Sequence, residues 1–278
     1  MQTKSLISFI ISLVLLAGIG AVTPNVAAAV ENSPVTIMLD GSRVEMGAPA
    51  RIVKATTYVP MYCFSRALGA ETITYTYYSM IVSAPGLRIY ASAGDLYIVA
   101  NGRYLFVPTL CRVIDGKLFV PIRPLAKAFG AEVTWCEDRA NTVLVLPTGD
   151  PIKPGYLFYD ETDLFWMSRI ISAEARGEPM LGRIAVGNVV MNRLNSPVYP
   201  NTVRGVIFDR RHGIQFTPAH SGTINRTPGE RCIIAAKLAL EGANVVGDSL
   251  FFAGANTNSW ASRNRTYVTT IGNHSFYA

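Results

Sequence analysis

One carboxylate in the second half of the chain is placed where it could donate a proton. Leu164, Met167, Ile171 and Glu174 recur at spacings of three, four and three residues, which corresponds to one face of a helix. A glutamate on an apolar face is partly removed from water, and desolvation raises the pKa of a carboxyl group toward neutral pH. These are the properties of a general acid. The alternative is that Glu174 extends from the helix end into solvent, as most glutamates do.

The helix that carries Glu174 is predicted to end within one turn. Arg176, Gly177 and Glu178 follow it and precede Pro179, and a proline disfavours the helical conformation in the residue before it. Glu174 is therefore expected at the end of its helix, and Glu178 is expected to be turned away from it by Pro179.

Glycosidic cleavage ordinarily uses a second carboxylate, and no clear partner for Glu174 is visible. Asp160 to Asp163 lie at the opposite end of the predicted helix. Glu230 belongs to a predicted capping box that opens at Thr227. The sequence therefore favours cleavage with a single acid.

Metal chemistry is the main alternative, because three histidines around an open position form a catalytic zinc pattern. His212, His220 and His274 all lie in the second half. No two of them have the separation of three to five residues that is typical of ligands on one helix. We therefore expect neither a metal nor a cofactor.

Four segments carry a specific resemblance. They are EARGEP (174–179), AVGNVVMNRLNSPVYPNTVRGVI (185–207), QFTPAHSG (215–222) and IGNHSFY (271–277). In their order and spacing, these segments resemble the SleB/CwlJ-type cell-wall hydrolases, which are the spore cortex-lytic enzymes. The resemblance implies a mostly helical domain over residues 156–278, similar in fold to lysozyme and the lytic transglycosylases. It also implies that Glu174 is the catalytic acid.

The resemblance further implies the substrate and the reaction. The expected partner is the glycan strand of spore cortex or cell wall. In lytic transglycosylases a single glutamate protonates the leaving oxygen and then assists attack by the muramic acid C6 hydroxyl, which gives a 1,6-anhydro product. The alternatives are an N-acetylmuramoyl-L-alanine amidase-type peptidoglycan hydrolase and an inactive wall-binding protein. An intact EARGE motif speaks against the inactive protein.

Residues 215–222 are expected to form a loop between two predicted helices. Substrate contacts are expected from Gln215, Phe216, Trp260, His274 and Tyr277. Trp260 lies among asparagine and serine residues and is a candidate for stacking on a sugar ring. His274 could either form a hydrogen bond in the cleft or hold the C-terminus in place.

The first 29 residues are interpreted as a cleaved secretory signal. Lys4 precedes an apolar run, Leu6 to Ile19, and Ala27 and Ala29 suit a signal-peptidase site. An uncleaved membrane anchor is the alternative, but the run of about 14 residues is shorter than the roughly 20 that span a bilayer. We expect a protein that is secreted to the cell wall or spore envelope and acts in germination or sporulation.

Four cysteines in an exported chain suggest disulfides, but these four are widely spaced. They are Cys63, Cys111, Cys136 and Cys232. Without close pairs or a CxxC motif, we expect them to behave as small buried hydrophobic residues.

Residues 30–148 contain an internal repeat. Two segments align without gaps at an offset of 61 residues, YVPMYCFSRALGAET (58–72) and FVPIRPLAKAFGAEV (119–133). The same offset pairs Asp40-Gly41 with Asn101-Gly102. These dipeptides predict hairpin turns, and the Val-Pro pairs predict helix starts. The pattern indicates two ββαβ-like units, so the whole chain is expected to be α+β.

This repeat resembles the copper amine oxidase N-terminal-like domain. No histidine precedes residue 212, so the imidazole that usually binds copper is missing from it. Binding of a wall polymer and a purely mechanical stalk remain two open roles.

The charge balance agrees with a wall substrate. Between residues 151 and 278 there are thirteen Lys and Arg against nine Asp and Glu. A scattered basic surface suits an anionic wall polymer. Because no run of basic residues occurs, we expect no nucleic-acid partner. Membrane contact is expected only through the signal segment, if it is not cleaved.

Overall fold

The computed structural model describes residues 34–211 and 213–278. The predicted signal segment 1–29 therefore lies outside the described residues. A sheet-rich N-terminal domain is followed by a mostly helical C-terminal domain, which confirms the α+β class. Among the described helices, none has the length and apolar character needed to cross a membrane.

The N-terminal domain contains the two predicted repeats. The first comprises β1 (Pro34–Leu39), β2 (Ser42–Arg43), β3 (Ala50–Val53), β4 (Thr56–Pro60), α1 (Met61–Ala67), β5 (Thr72–Tyr75) and β6 (Ser79–Ala84). A connecting strand, β7 (Leu87–Ser92), leads into the second. The second comprises β8 (Tyr97–Ala100), β9 (Arg103–Phe106), β10 (Arg112–Ile114), β11 (Lys117–Pro121), α2 (Ile122–Ala128), β12 (Ala131–Trp135) and β13 (Thr142–Pro147).

Each repeat is larger than the predicted ββαβ unit, because four strands precede the helix and two follow it. The additional hairpins turn at Lys54-Ala55 and Asp115-Gly116, where both residues of each pair have positive φ. Lys54-Ala55 lacks the asparagine, aspartate or glycine that marks such a turn, which explains why the sequence pattern missed it. The Asp40-Gly41 and Asn101-Gly102 turns have positive φ throughout, as predicted.

The two repeats are joined through equivalent strands. β4 and β11 pair antiparallel, and Val59 lies opposite Val120, its own counterpart at the offset of 61. A local two-fold axis therefore passes through this pair. The domain has an eight-stranded sheet in the order β10-β11-β4-β3-β1-β13-β12, with β2 on β1, and a five-stranded sheet in the order β5-β6-β7-β8-β9.

The C-terminal domain surrounds helix α4. Its elements are α3 (Gly155–Phe158), α4 (Glu161–Ala175), α5 (Met180–Leu194), α6 (Val203–Ile207), α7 (Thr217–His220), a 3₁₀ turn (Thr223–Asn225), α8 (Glu230–Leu240), β14 (Phe251–Gly254), α9 (Trp260–Asn264), β15 (Tyr267–Ile271) and β16 (His274–Tyr277). The last three strands form a small sheet in the order β14-β16-β15. Helices α4, α5 and α8 supply most of the buried core.

Two local predictions were wrong. Helix α8 begins at Glu230 with Gly229 as its N-cap, so Thr227 does not open a capping box. Pro228 disfavours a helical Thr227, and Gly229 is itself extended, so the helix starts after them. The segment from Gln215 to Gly222 was expected to be a loop but contains α7.

The two domains share a buried ion pair. The Arg103 guanidinium on β9 donates to both carboxylate oxygens of Glu241, which follows α8, at 2.5 and 2.8 Å. The two side chains are only 9% and 2% exposed. Tyr104 and Phe106 of β9 pack against the C-terminal core beside it.

All four cysteines are free thiols in the structure. Cys111 and Cys232 are buried, and Cys63 and Cys136 are half-buried. Burial raises the pKa of the Cys111 thiol to about 12, so it remains protonated. Cys111 and Cys232 therefore lie in the interior, as expected, whereas Cys63 and Cys136 do so only in part.

Candidate active site

Helix α4 places Glu174 at the edge of the C-terminal core. The Asp160 carboxylate caps the helix by accepting a hydrogen bond from the Asp163 backbone N–H at 2.9 Å. Met167 and Ile171 are completely buried. Glu174 lies one turn beyond Ile171 on the same face, and it is half-buried. The helix ends at Ala175, as the sequence predicted.

The environment of Glu174 favours a protonated carboxyl group. Burial raises its pKa from 4.5 to about 7. Among the described residues, none forms a hydrogen bond or an ion pair with its carboxylate that would oppose this shift. Neither of the two carboxyl oxygens of Glu174 is fully buried, so the carboxyl group still reaches solvent. An accessible acid that is half protonated near pH 7 can serve as a general acid.

Glu178 has a different environment, and the prediction that Pro179 turns it away was incomplete. Its carboxylate is buried and accepts hydrogen bonds from the Asn273 backbone N–H at 2.8 Å and from Asn273 Nδ2 at 3.0 Å. These hydrogen bonds hold the pKa of Glu178 below its ordinary value, despite burial. Glu178 is therefore ionised and binds the turn between β15 and β16.

His274 lies beside this hydrogen-bonded turn. Its ring is half-buried, 5.2 Å from the ring of Phe252, and its Nδ1 is buried without a partner among the described residues. Desolvation lowers the pKa of His274, and the nearby Glu178 carboxylate partly opposes this effect. A neutral imidazole in this position suits packing of the C-terminal hairpin, and it leaves Nε2 for a hydrogen bond.

Two of the expected substrate contacts are in the interior. Phe216 is 0% exposed and packs at 6.1 Å from the ring of Phe252. Tyr277 is also buried, and its ring lies 6.1 Å from that of Tyr267. The prediction that Phe216 and Tyr277 contact substrate does not agree with this burial. Their aromatic character reflects core packing, which a motif cannot distinguish from sugar binding.

Trp260 and Gln215 lie nearer the surface. Trp260 is 53% exposed at the start of α9, where Ser259 and Ser262 form a capping box. Its ring lies 5.6 Å from that of Phe251, so the exposed indole is supported from behind. Gln215 is half-buried, and its Nε2 donates to the Gly213 carbonyl at 3.1 Å. Both remain candidates for substrate contact.

The polar side chains of α5 were missed because its apolar periodicity dominated the prediction. Asn188 accepts from the Val245 N–H at 2.9 Å and donates to the Ala243 carbonyl. Asn192 donates to the Ser249 carbonyl at 2.9 Å, and Arg193 Nε donates to the Leu250 carbonyl at 2.8 Å. These residues fix the segment 243–250 that leads into β14. The sequence feature that could have revealed these contacts is the i, i+4 spacing of Asn188 and Asn192, which places both asparagines on one helix face.

The other carboxylates near the domain core are occupied. The buried Asp209 is held by the Arg211 guanidinium at 3.0 Å, and Glu241 is held in the domain interface. His220 Nδ1 lies 2.8 Å from Arg210 Nη2. Within the described ranges, which exclude His212, no cluster of three or more His, Cys, Asp or Glu side chains could hold a metal ion.

Two family models match the chain. The cell wall hydrolase family matches residues 177–277. The copper amine oxidase N-terminal domain matches residues 38–145. The first match begins three residues after Glu174, so the assignment of Glu174 depends on the site described above.

Similar proteins match the C-terminal half. A spore cortex-lytic enzyme from Halalkalibacterium halodurans is 37% identical over 42% of this chain and 35% of its own length. One from Bacillus cereus is 37% identical over 42% of this chain and 45% of its own length. The chain thus spans less than half of the length of these curated relatives.

A solved structure also matches this half. The catalytic domain of the germination-specific lytic transglycosylase SleB from Bacillus anthracis is 34% identical, with 46% of this chain and 100% of that chain covered and a TM-score of 0.40. The chain is thus similar to the copper amine oxidase N-terminal domain over residues 38–145 and to the cell wall hydrolase family over residues 177–277.

Proposed function

We propose that this protein cleaves the glycan strands of peptidoglycan and that Glu174 is its proton donor. The observation that carries the proposal is the half-buried, solvent-reaching carboxyl group at the end of α4, with its pKa raised to about 7. The C-terminal relatives are spore cortex-lytic enzymes, which agrees with a glycan of the spore cortex or cell wall as the substrate.

The reaction that suits a single acid is a lytic transglycosylation. Protonated Glu174 gives its proton to the oxygen that links two sugars, and the bond between that oxygen and the muramic acid C1 breaks. The C6 hydroxyl of the same muramic acid then bonds to C1. Its proton returns to the Glu174 carboxylate, which regenerates the acid and leaves a 1,6-anhydro end. The reaction consumes no water and requires no second carboxylate.

The arrangement of the other acids supports this reaction over hydrolysis with two carboxylates. Glu178, the nearest acid in sequence, uses both oxygens to bind Asn273. Asp209 and Glu241 are bound to arginines. A hydrolase would need a second carboxylate that is free to activate water or to attack C1.

The location of the protein follows from its substrate and from its first residues. We propose that residues 1–29 direct export, that residues 30–148 form the N-terminal domain and that residues 156–278 form the catalytic domain. The protein would then act in the cell wall or spore envelope during germination or sporulation.

Mass spectrometry of released fragments tests the proposal. The mature protein is incubated separately with purified spore cortex and with vegetative sacculi. We expect fragments with 1,6-anhydromuramic ends. Reducing ends would identify a hydrolase, and released peptides with intact glycan would identify an amidase.

A further inference from the structure

The N-terminal domain has an open groove at its junction with the catalytic domain. The groove has a volume of about 460 Å³, and its walls come from the five-stranded sheet and from the connection between the domains. Arg88, Tyr90 and Val99 contribute from the sheet, and Pro154 and Tyr156 contribute from the connection.

The walls of the groove are fixed to each other. Asn101 Nδ2 donates to the Ile152 carbonyl at 3.1 Å, and the Gly155 N–H donates to the Asn101 carbonyl at 2.8 Å. A Cβ on Gly155 would lie 2.7 Å from the Gly102 carbonyl oxygen, so the connection lies directly on the β8–β9 turn. The connection is thus a built part of the groove and does not act as a loose tether.

The groove presents two tyrosine rings to solvent. Tyr156 is 82% exposed and Tyr90 is 40% exposed. Exposed rings held on a rigid backbone lose little conformational entropy on binding, and their flat apolar faces match the faces of sugar rings.

The groove also carries an available positive charge. Arg88 is exposed, and among the described residues its guanidinium has no hydrogen-bond or ion-pair partner. The groove is lined by no aspartate or glutamate. Its charge is therefore complementary to a carboxylate on the ligand.

The groove is continuous with the domain interface. Tyr90 lies opposite Val99, and Val99 lies opposite Tyr104, on one face of three neighbouring strands. Tyr104 packs against the catalytic core. One face of the sheet therefore extends from the open groove to the catalytic domain, and the Arg103–Glu241 ion pair fixes their relative position.

From this geometry we propose that the groove is a second binding site for a peptidoglycan glycan strand, with Tyr90 and Tyr156 stacking on sugar rings and Arg88 pairing with a carboxylate on a muramic acid substituent. This inference rests on the proposed function for its ligand. It assigns to the N-terminal domain the task of holding the polymer next to the catalytic domain.

The test measures binding by the full mature chain in a Glu174→Gln background, so that cleavage cannot alter the ligand. The first probe is purified sacculi from which other wall polymers have been removed. We expect Tyr90→Ala with Tyr156→Ala to weaken retention about tenfold. The matched control is Tyr77→Ala with Tyr78→Ala, which removes two tyrosines that are 62% and 63% exposed elsewhere in the domain and should have no effect.

A second probe separates stacking from charge. Arg88→Ala should weaken binding to muramic-acid-containing glycan about threefold and leave binding to carboxylate-free chitin oligosaccharides unchanged. Arg139→Ala, at another exposed position, is its control. Unchanged retention in the groove variants would overturn the proposal. The proposal would also be overturned if the parent chain bound sacculi that still carry phosphate-rich wall polymers but did not bind the stripped sacculi.

The outcomes distinguish this inference from the proposed function. If the wild-type chain releases no fragments but retention still depends on Tyr90 and Tyr156, the cleavage proposal fails and the groove stands. If cleavage of soluble fragments is normal and the groove variants bind like the parent, only the groove proposal fails.

Discussion

The Glu178 carboxylate is bound by both the backbone N–H and the side-chain amide of Asn273, 95 residues further along the chain. This contact joins the start of α5 to the β15–β16 turn. The two glutamates of EARGE therefore have opposite electrostatic environments. Burial raises the pKa of Glu174, whereas hydrogen bonds lower the pKa of Glu178.

Glu178→Gln should destabilise the fold. A glutamine can accept only through its single oxygen, so one of the two Asn273 donors loses its partner, and a buried hydrogen bond to a charged group contributes about 1.5–3 kcal/mol. Chemical denaturation at pH 7 measures this loss. Per folded molecule, turnover should fall less than in Glu174→Gln.

The pH dependence of that loss has a defined sign. Because the folded pKa of Glu178 is lowered, its contribution is present above its unfolded value of 4.5 and is lost as the pH falls through the folded pKa. The stability difference between wild type and Glu178→Gln should therefore shrink in acid. A difference that grows in acid would contradict the assigned hydrogen bonds.

Gly272→Ala should be strongly destabilising. Gly272 has φ +59, and a Cβ there would lie against Glu178 Oε2 and would displace the carboxylate from Asn273. We expect a clear fall in Tm. Gly177→Ala is the control for stability, because its added Cβ meets no atom within 4 Å. Equal Tm values for the two variants would show that the hairpin turn tolerates the displacement.

The domain interface should depend on both members of the Arg103–Glu241 pair. Glu241→Leu leaves the buried Arg103 guanidinium without its anion, which typically costs about 3–5 kcal/mol. Replacing both residues with leucine should recover much of that loss, because no buried charge is left unpaired and Lys127, the other cation on Glu241, is 52% exposed. Denaturant titration of the single and double variants gives the comparison.

An exposed ion pair provides the control for this experiment. Arg51→Leu removes the contact with Asp115, whose side chain is 66% exposed, and should cost less than about 1 kcal/mol. If Glu241→Leu cost no more than Arg51→Leu, the two domains would not be joined through this pair.

Glu174 itself should oppose folding at neutral and alkaline pH. Its folded pKa is raised, so ionisation in the folded state carries a penalty that is absent below its unfolded value of 4.5 and complete above about 7. Glu174→Gln should therefore be more stable than wild type at pH 8, by about 1–3 kcal/mol, and equal to it at pH 4. Equal stability at both pH values would mean that the carboxyl group is well solvated.

Local periodicity and turn chemistry were sufficient to predict much of the fold. Short-range sequence patterns determine the helix that carries Glu174, the Asn101-Gly102 turn and the repeat with its equivalent helices. The four-strand start of the first repeat was missed, because Lys54-Ala55 has no residue that favours positive φ. In the second repeat the equivalent turn is Asp115-Gly116, a dipeptide that favours a hairpin, and that turn was overlooked.

The site was predictable only in part. An acid on an apolar helix face is visible in the sequence, so Glu174 could be proposed as the proton donor from the sequence. The Glu178–Asn273 contact joins segments that are distant along the chain, and no local pattern encodes it. The burial of Phe216 likewise depends on which face of the chain meets the core.

We propose above all that Glu174 delivers the proton that breaks the glycosidic bond. The most direct measurement is the turnover of Glu174→Gln on purified cortex glycan, with product ends identified by mass spectrometry and folding verified by Tm. General acid catalysis contributes about 10²–10⁴-fold, so we expect a loss of at least that size, with 1,6-anhydromuramic ends from the wild type. A folded Glu174→Gln variant that retains wild-type turnover would contradict the account.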